Sequence, residues 1–342
     1  QVDRDLPAVD VDEAFDAVVG SPNCASKRWV YRQYDHEVQV RTARRPGDDA
    51  AILAIREADT GLAFTAGADP NWTDAAPYDG ARAVALENAT NLAAKGATPL
   101  AAVNCLNGGN PEKPDVYGGF SAIVDGLADT CADLSVPIVG GNVSLYNDSP
   151  AGPIPPTPTL AMIGTKDGYD APPLSLAGGG DLVVVGDLSL AGDADPRLGG
   201  SELLAQFAGS DRFPALPDDQ PAFVDALAAV ADEETTLATH DASHGGLAVT
   251  LAEMITADAG ADVTLDGDDA VGALFHEQPG RVVIETTAPS EVERAFEGIA
   301  PVARVGRATD SGTLSIDVAG DSLSRDAADV GALRDVIDRE LE

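Results

Sequence analysis

Asn104-Cys105-Leu106-Asn107-Gly108-Gly109-Asn110-Pro111-Glu112-Lys113-Pro114 and Gly140-Gly141-Asn142-Val143-Ser144-Leu145-Tyr146-Asn147 are the two stretches on which the fold is read. Each follows a short apolar run, Pro99 to Val103 and Val136 to Val139, and each then breaks into glycines and amides. A strand ending in Gly with Asn or Ser lets backbone N–H groups approach a ligand, and its amide oxygens suit a hard cation or a phosphate site. The same words also build ordinary turns, because Gly and Asn tolerate the backbone angles a turn needs. Two such ends, about one helix apart, face one ligand if their strands are neighbours in a sheet.

Working outward, apolar periodicity predicts alternating helices and strands. A short amphipathic helix is expected at Asp10–Val19, with strands at Glu37–Thr42, Ala50–Arg56 and Gly61–Thr65. A helix over Asp79–Lys95 is expected to stop at Gly96, a residue suited to a left-handed cap. Strand Pro99–Asn104, helix Tyr117–Leu134, strand Val136–Val139 and strand Thr159–Gly164 complete a first block. Residues 167–180 are rich in Pro, Gly and Ala and mark a domain boundary. Beyond it, strands are expected at Asp181–Gly186, Thr236–Thr239, Ala261–Leu265, Arg281–Glu285, Ala303–Val305 and Thr313–Val318. Helices are expected at Gly200–Phe207, Asp219–Ala231, Gly245–Thr256, Ser290–Ala300 and Ser324–Leu341. The expected organisation is an acidic lead-in over 1–20, a sheet domain over 21–168 and an α/β domain over 178–342, without an internal repeat.

Composition narrows the function. The 342 residues carry 57 acidic and 21 basic side chains, a formal net charge of -36, and only four lysines: Lys27, Lys95, Lys113 and Lys166. Apolar residues reach 44% and fall in periodic blocks, so the acidity does not signal disorder. It points to a salt-adapted source, where screening relieves self-repulsion, and to a solvated acidic coat that does not store metal. Nonspecific nucleic-acid binding needs Lys and Arg and is excluded. Cys24, Cys105 and Cys131 form neither a disulfide framework nor a zinc pattern, and fit a reducing, cytoplasmic setting. No apolar run is long enough for a membrane span, and no signal-peptide pattern opens the chain. The start at Gln1 in place of Met leads us to expect a fragment or a processed chain.

The two Gly/Asn words resemble the second half of the phosphoribosylformylglycinamidine synthases, in their small-subunit-dependent form. The resemblance runs over nearly the whole chain. It includes Ser21-Pro22-Asn23-Cys24, Arg45-Pro46-Gly47-Asp48-Asp49-Ala50-Ala51, Pro77-Tyr78-Asp79-Gly80 and Leu198-Gly199-Gly200-Ser201-Glu202-Leu203. His240-Asp241-Ala242-Ser243-His244-Gly245-Gly246-Leu247 is similar to the Asp-x-Ser-Asp-Gly-Gly-Leu signature of a wider family. That family also holds aminoimidazole ribonucleotide synthetase, selenophosphate synthetase and thiamine-phosphate kinase.

The resemblance implies an aminoimidazole ribonucleotide synthetase-like two-domain half, whose sheet domain shares a barrel with its counterpart. It implies a reaction in which ATP activates the amide oxygen of formylglycinamide ribonucleotide and ammonia then displaces phosphate. It implies partners too: the N-terminal half, a glutaminase subunit and a small bridging subunit. Carried over by position, Asn104 and Gly141 match ATP contacts, Asn142 matches a Mg²⁺ ligand, and Ser144 matches a substrate contact. Asp241 is a weaker candidate for a cation or phosphate site.

Departures from the family pattern matter as much. Where the first copy has its catalytic histidine, this chain has Asn23, and an amide cannot transfer protons near neutral pH. No catalytic acid or base is therefore assigned within the chain, and Cys24 reads as a small buried residue. His36, His240, His244 and His276 lack a metal-binding spacing and read as structural or surface residues. Phe275-His276-Glu277-Gln278-Pro279-Gly280-Arg281 replaces a family word with Pro where Gln is expected, removing an amide and a backbone donor. Two other readings stay open: a complete homodimeric ligase or small-molecule kinase of the wider family, and a scaffold half without activity.

Overall fold

The computed structural model describes residues 2–188 and 196–341. In chain order the first part contains α1 (Val11–Val19), α2 (Arg28–Tyr31), β1 (Thr42–Arg44), β2 (Ala51–Ile55), β3 (Thr60–Gly67), α3 (Pro70–Ala75) and α4 (Pro77–Ala93). β4 (Thr98–Asn107), α5 (Pro114–Asp133), β5 (Ile138–Ser144), the short hairpin β6 (Asp148–Ser149) and β7 (Gly152–Pro153), and β8 (Thr157–Asp167) follow. Six of these strands form a mixed sheet in the order β1-β2-β3-β8-β4-β5, with β4 and β5 parallel. The sheet is open: β5 is an edge, and no closed barrel forms among the described residues.

The second part holds β9 (Asp181–Val185), α6 (Glu202–Phe207), α7 (Gln220–Ala231), β10 (Thr236–Asp241), α8 (Gly246–Met254), β11 (Gly260–Leu265), α9 (Ala270–Phe275) and β12 (Val282–Thr286). It ends with α10 (Pro289–Ala295), β13 (Val302–Thr309), β14 (Thr313–Val318), β15 (Asp321–Asp326), α11 (Ala327–Arg334) and α12 (Val336–Leu341). Its seven-stranded sheet runs β10-β12-β9-β13-β11-β14-β15, with β11 and β14 parallel.

α4 ties the two sheets together. Pro77 starts it at a position where the missing N–H costs nothing, and Gly96 at φ 74° ends it, with Ala97 N donating to Leu92 O at 3.0 Å. Between these ends, Gly80 through Ala93 are buried but for Arg82, as expected of a helix packed on all sides. One apolar core gathers α4, α5 and the inner face of the first sheet with α7 and with Val183, Val185, Val282 and Ile284 of the second. The other face of the second sheet packs on α8, and α1 inserts Phe15 and Val18 into that core. The helix expected as a lead-in is thus part of the second sheet's packing.

Three segments differ from expectation. In place of a strand over Glu37–Thr42 there is a 3₁₀ turn at Val38–Val40, where Gln39 and Val40 take φ of 57° and 55° and cannot extend a ladder. In place of one helix over Ser324–Leu341, β15 pairs with β14 up to Asp326, whose carboxylate then caps α11 by accepting from Asp329 N at 2.8 Å. The helix expected over Ser290–Ala300 ends at Ala295, and Gly298 follows at φ 77°.

Candidate functional site

The parallel pair β4 and β5 brings the two Gly/Asn words side by side. Asn104 pairs with Gly141, Cys105 with Asn142, and Asn107 with Ser144. Strand pleating then divides them. Ala102 and Leu106 are buried in the core, so Asn104 and Gly141 lie on that side of the sheet, where Gly141 on the edge strand is exposed, while Cys105, Asn142, Asn107 and Ser144 lie on the opposite, open face. Asn104 leans across Gly141: a Cβ there would stand 2.0 Å from Asn104 Oδ1, so no larger residue fits beside this amide. Asn142 is exposed, and its Nδ2 faces Cys105 Sγ at 3.8 Å. Between Ala102 and Val103 the register slips, leaving Val139 as an extra residue, a bulge of the kind that re-aims side chains near functional sites.

The open face beside these strand ends is apolar. Phe64, Ala101, Val103, Val139, Ala161 and Ile163 line a shallow depression on it, and Val139 is 67% exposed. Val103 on β4, an interior strand, is 44% exposed, which is unusual for a sheet face in a finished core.

The structure also assembles a buried polar junction between the two sheets. Lys95 Nζ, fully buried, lies 2.6 Å from Asp48 Oδ1 and 3.2 Å from Asp49 Oδ2, and donates to Thr239 O at 2.9 Å. His240 bridges Asp49 at 2.6 Å and Glu253 at 2.7 Å, and Arg334 closes the far side of Glu253. Burial alone would lower the His240 imidazole, but Asp49 and Glu253 hold it well above the usual histidine range. Asp49, buried as well, is held below the usual carboxylate range by Lys95 and His240. His244 pairs with Asp69 at 2.8 Å and stacks on Trp72 with ring centroids 5.4 Å apart. Glu277 accepts from Trp72 Nε1 at 2.6 Å and from the backbone N–H groups of Glu202 and Gly245 at 2.8 Å each.

Burial pushes Glu87 up to about 8, Glu277 up to about 7 and Asp241 up to about 6, with neighbouring carboxylates adding to each. A cavity of about 440 Å³ lies among Asn23, Asp48, Asp49, Glu87, His240 and Asp241. Asp49, His240 and Asp241 bring three potential ligand atoms within 4.8 Å of one another, yet both ring nitrogens of His240 are engaged by carboxylates.

Asp241 therefore sits in this junction and not at the strand ends. Asn23 is at the junction as well, donating to Glu202 Oε2 at 2.8 Å. Cys24 is buried, which raises its thiol far above the reactive range. His240 and His244 face different partners, as their separation by a strand end predicts. The sequence reading missed the Lys95, Asp49, His240 and Glu253 chain and the buried Glu87, whose carboxyl is pushed up by burial. One signal was present: in a chain with four lysines, one sits at the end of a predicted core helix.

Comparison with known proteins decides the family. Residues 47–165 match the family model of AIR synthase related proteins, N-terminal domain, and residues 179–319 match its C-terminal domain. The chain belongs to the AIR synthase related family. Within this family it is of the phosphoribosylformylglycinamidine synthase type. It is 69% identical, over 99% of its length, to the phosphoribosylformylglycinamidine synthase subunit PurL of Haloarcula marismortui, covering 48% of that protein. It is 41% identical to the PurL subunit of Methanosarcina acetivorans over 87% of its length and 42% of that protein. The chain thus spans about half the length of the curated relatives it matches. Among solved structures, Thermotoga maritima PurL complexed with FGAR aligns at a TM-score of 0.69 and 17% identity, over 94% of this chain and 52% of that one. The same protein complexed with ATP aligns at 0.58 and 21%, over 83% and 40%. These two likenesses show a shared AIR synthase-like, two-domain α/β fold with mixed sheets.

Proposed function

We propose that this chain is the C-terminal half of a phosphoribosylformylglycinamidine synthase subunit and lends the ends of β4 and β5 to a shared active site. The reaction is ATP-dependent conversion of formylglycinamide ribonucleotide and ammonia to formylglycinamidine ribonucleotide, a step of purine biosynthesis. The observation that carries this reading is the arrangement at the open edge: Asn142 and Ser144 side by side with the paired strand, next to a bare apolar sheet face. A face of that kind is half of a core, and its natural cover is the matching sheet of an N-terminal half, closing a shared barrel. A glutaminase subunit and a small bridging subunit complete the assembly, in the cytoplasm. No helix among the described residues is long and apolar enough to cross a membrane.

Asn142 fits Mg²⁺. Its amide nitrogen is turned to Cys105, which leaves a hard carbonyl oxygen facing out. Bound there, the metal supplies charge neutralisation for phosphoryl transfer. Gly141 fits an ATP contact because an edge strand keeps one side of its backbone free, and the absent Cβ leaves room for Asn104. Ser144 donates to the substrate. No catalytic acid or base is assigned to this half, since the position of the family histidine holds Asn23, an amide bound to Glu202. In the enzyme joined to its counterpart, Asn142→Ala is expected to raise the Mg²⁺ requirement and Ser144→Ala to raise KM for the formylglycinamide substrate more than for ATP. Unchanged Mg²⁺ dependence and equal effects on both substrates would remove these residues from the site.

A further inference from the structure

Asn147 lies three residues beyond Ser144 and braces the end of β5 against the loop that follows β4. Its Nδ2 is 3.1 Å from Gly108 O, 3.1 Å from Ser144 O and 3.2 Å from Ser144 Oγ. Its backbone N–H also donates to Gly108 O at 3.1 Å, and its carbonyl accepts from Ile154 N at 3.1 Å. Two backbone carbonyls can only accept, so the nitrogen end of the amide must face them, and chemistry alone fixes its orientation.

The consequence falls on Ser144. Asn147 Nδ2 has two protons for three acceptors, so it reaches the Ser144 hydroxyl through a shared, bifurcated bond that still approaches one of its lone pairs. Asn147 Oδ1 stands 3.5 Å away, at the limit of hydrogen-bond range and a poor acceptor for the O–H. A hydroxyl has one proton to give, and here its best use is a partner outside the chain. That partner must offer an acceptor oxygen.

We propose that Asn147 is a positioning residue that fixes Ser144 as a hydrogen-bond donor, so that the strand-end site selects an acceptor oxygen, of a phosphate or an amide, over an amine. The inference rests on the functional reading given above. A second clamp makes it testable. Asp148 independently joins the same two loops, accepting from Asn110 N at 3.0 Å and from Lys113 Nζ at 2.6 Å, so removing the Asn147 amide leaves the loops connected.

The experiment is a double-mutant cycle in the full-length subunit, with Ser144→Ala, Asn147→Ala and both together, read by calorimetric binding of formylglycinamide ribonucleotide and of ATP in molar KCl. Asn147→Gln, which keeps the amide but moves it by one methylene, repeats the cycle should the alanine variant misfold. Each single substitution is expected to weaken the ribonucleotide by about tenfold, the size of one lost hydrogen bond to a polar ligand, and ATP by less than about twofold. The double variant is expected to bind no more weakly than Ser144→Ala. A second arm uses the dephosphorylated nucleoside: coupling that persists assigns the acceptor to the amide oxygen, and coupling that vanishes assigns it to the phosphate. Additive losses, or equal losses for ATP, would overturn the role of Asn147 while leaving the function intact. Failure of the unsubstituted subunit to bind the ribonucleotide would overturn the functional reading, and this inference with it.

Discussion

At the end of β5 the polar side chains are neutral amides and a hydroxyl, open to solvent; between the two sheets they are ionised or forced neutral, and buried. Asn142 and Ser144 have unfilled hydrogen-bonding capacity, whereas Asp48, Asp49, His240 and Glu253 are answered by Lys95, Arg334 and one another. Strongly shifted ionisable groups in a cleft commonly mark a catalytic site. Here they mark the seam on which the two sheets are held. The strand-end residues proposed to meet ligands, Asn142 and Ser144, carry no ionisable group, because the chemistry proposed for them is ligation and hydrogen-bond donation.

Breaking the seam should cost stability and little else. Lys95→Met leaves Asp48 and Asp49 buried without their cation and is expected to destabilise the fold by about 3–5 kcal/mol. Asn142→Ala, on an exposed strand end, should move stability by less than about 0.5 kcal/mol. Denaturant melts of both variants check the contrast, and a well-tolerated Lys95→Met would erase it.

Salt sharpens the distinction. With a formal net charge of -36, the unsubstituted chain should melt several degrees higher in molar KCl than in dilute buffer. The Debye length there falls to about 3 Å. The deficit caused by Lys95→Met should change little across the same series, because buried pairs are screened poorly. A melting midpoint that stays flat or falls with salt contradicts this account of the acidic coat.

The pH dependence follows from the seam's acids. Glu87 at about 8 and Glu277 at about 7 lie above their unfolded values, so the fold favours their neutral forms. Their contribution is complete below the unfolded carboxylate range and is lost as pH rises through 7 and 8. His240 and His244, also raised, lose theirs in the same direction. Asp49 and Glu253 are lowered, so their contribution is lost only at the acid end. The midpoint is therefore expected to fall between pH 5 and pH 9. Glu87→Gln should flatten that fall and raise the midpoint at pH 9 by about 2–4 °C. Parallel curves for the two proteins would show that Glu87 does not titrate in this window.

A modest effect is expected at Asn23. Asn23→Ala removes one hydrogen bond to Glu202 and should cost about 1 kcal/mol, with turnover of the joined enzyme unchanged.

What was legible in the chain was local. Gly96 stops α4 as read, although the helix starts at Pro77, two residues before the expected Asp79; the apolar runs before Asn104 and Gly140 become β4 and β5, and the Gly/Asn words meet because parallel neighbours align their carboxyl ends. The seam was not legible, because its pairs are far apart in sequence: His240 and Asp49 are separated by 191 positions. Nor does periodicity reveal that Asn104 and Asn142 point to opposite faces; that depends on the register of β4 against β5 and on the bulge at Val139. The turn at Val38–Val40 and the strand Asp321–Asp326 were misread for the same reason. Left-handed residues and sheet partners override local preference.

The central claim is that the strand ends work only when a counterpart covers the apolar face of the first sheet. The direct measurement is steady-state ADP release with formylglycinamide ribonucleotide and ammonium, in molar KCl, for this chain, for the N-terminal half, and for their mixture. The account predicts negligible release by this chain alone and restored release in the mixture, insensitive to Asn23→Ala. Substantial release by this chain alone, abolished by Asn23→Ala, would contradict it and assign the chemistry to the buried seam.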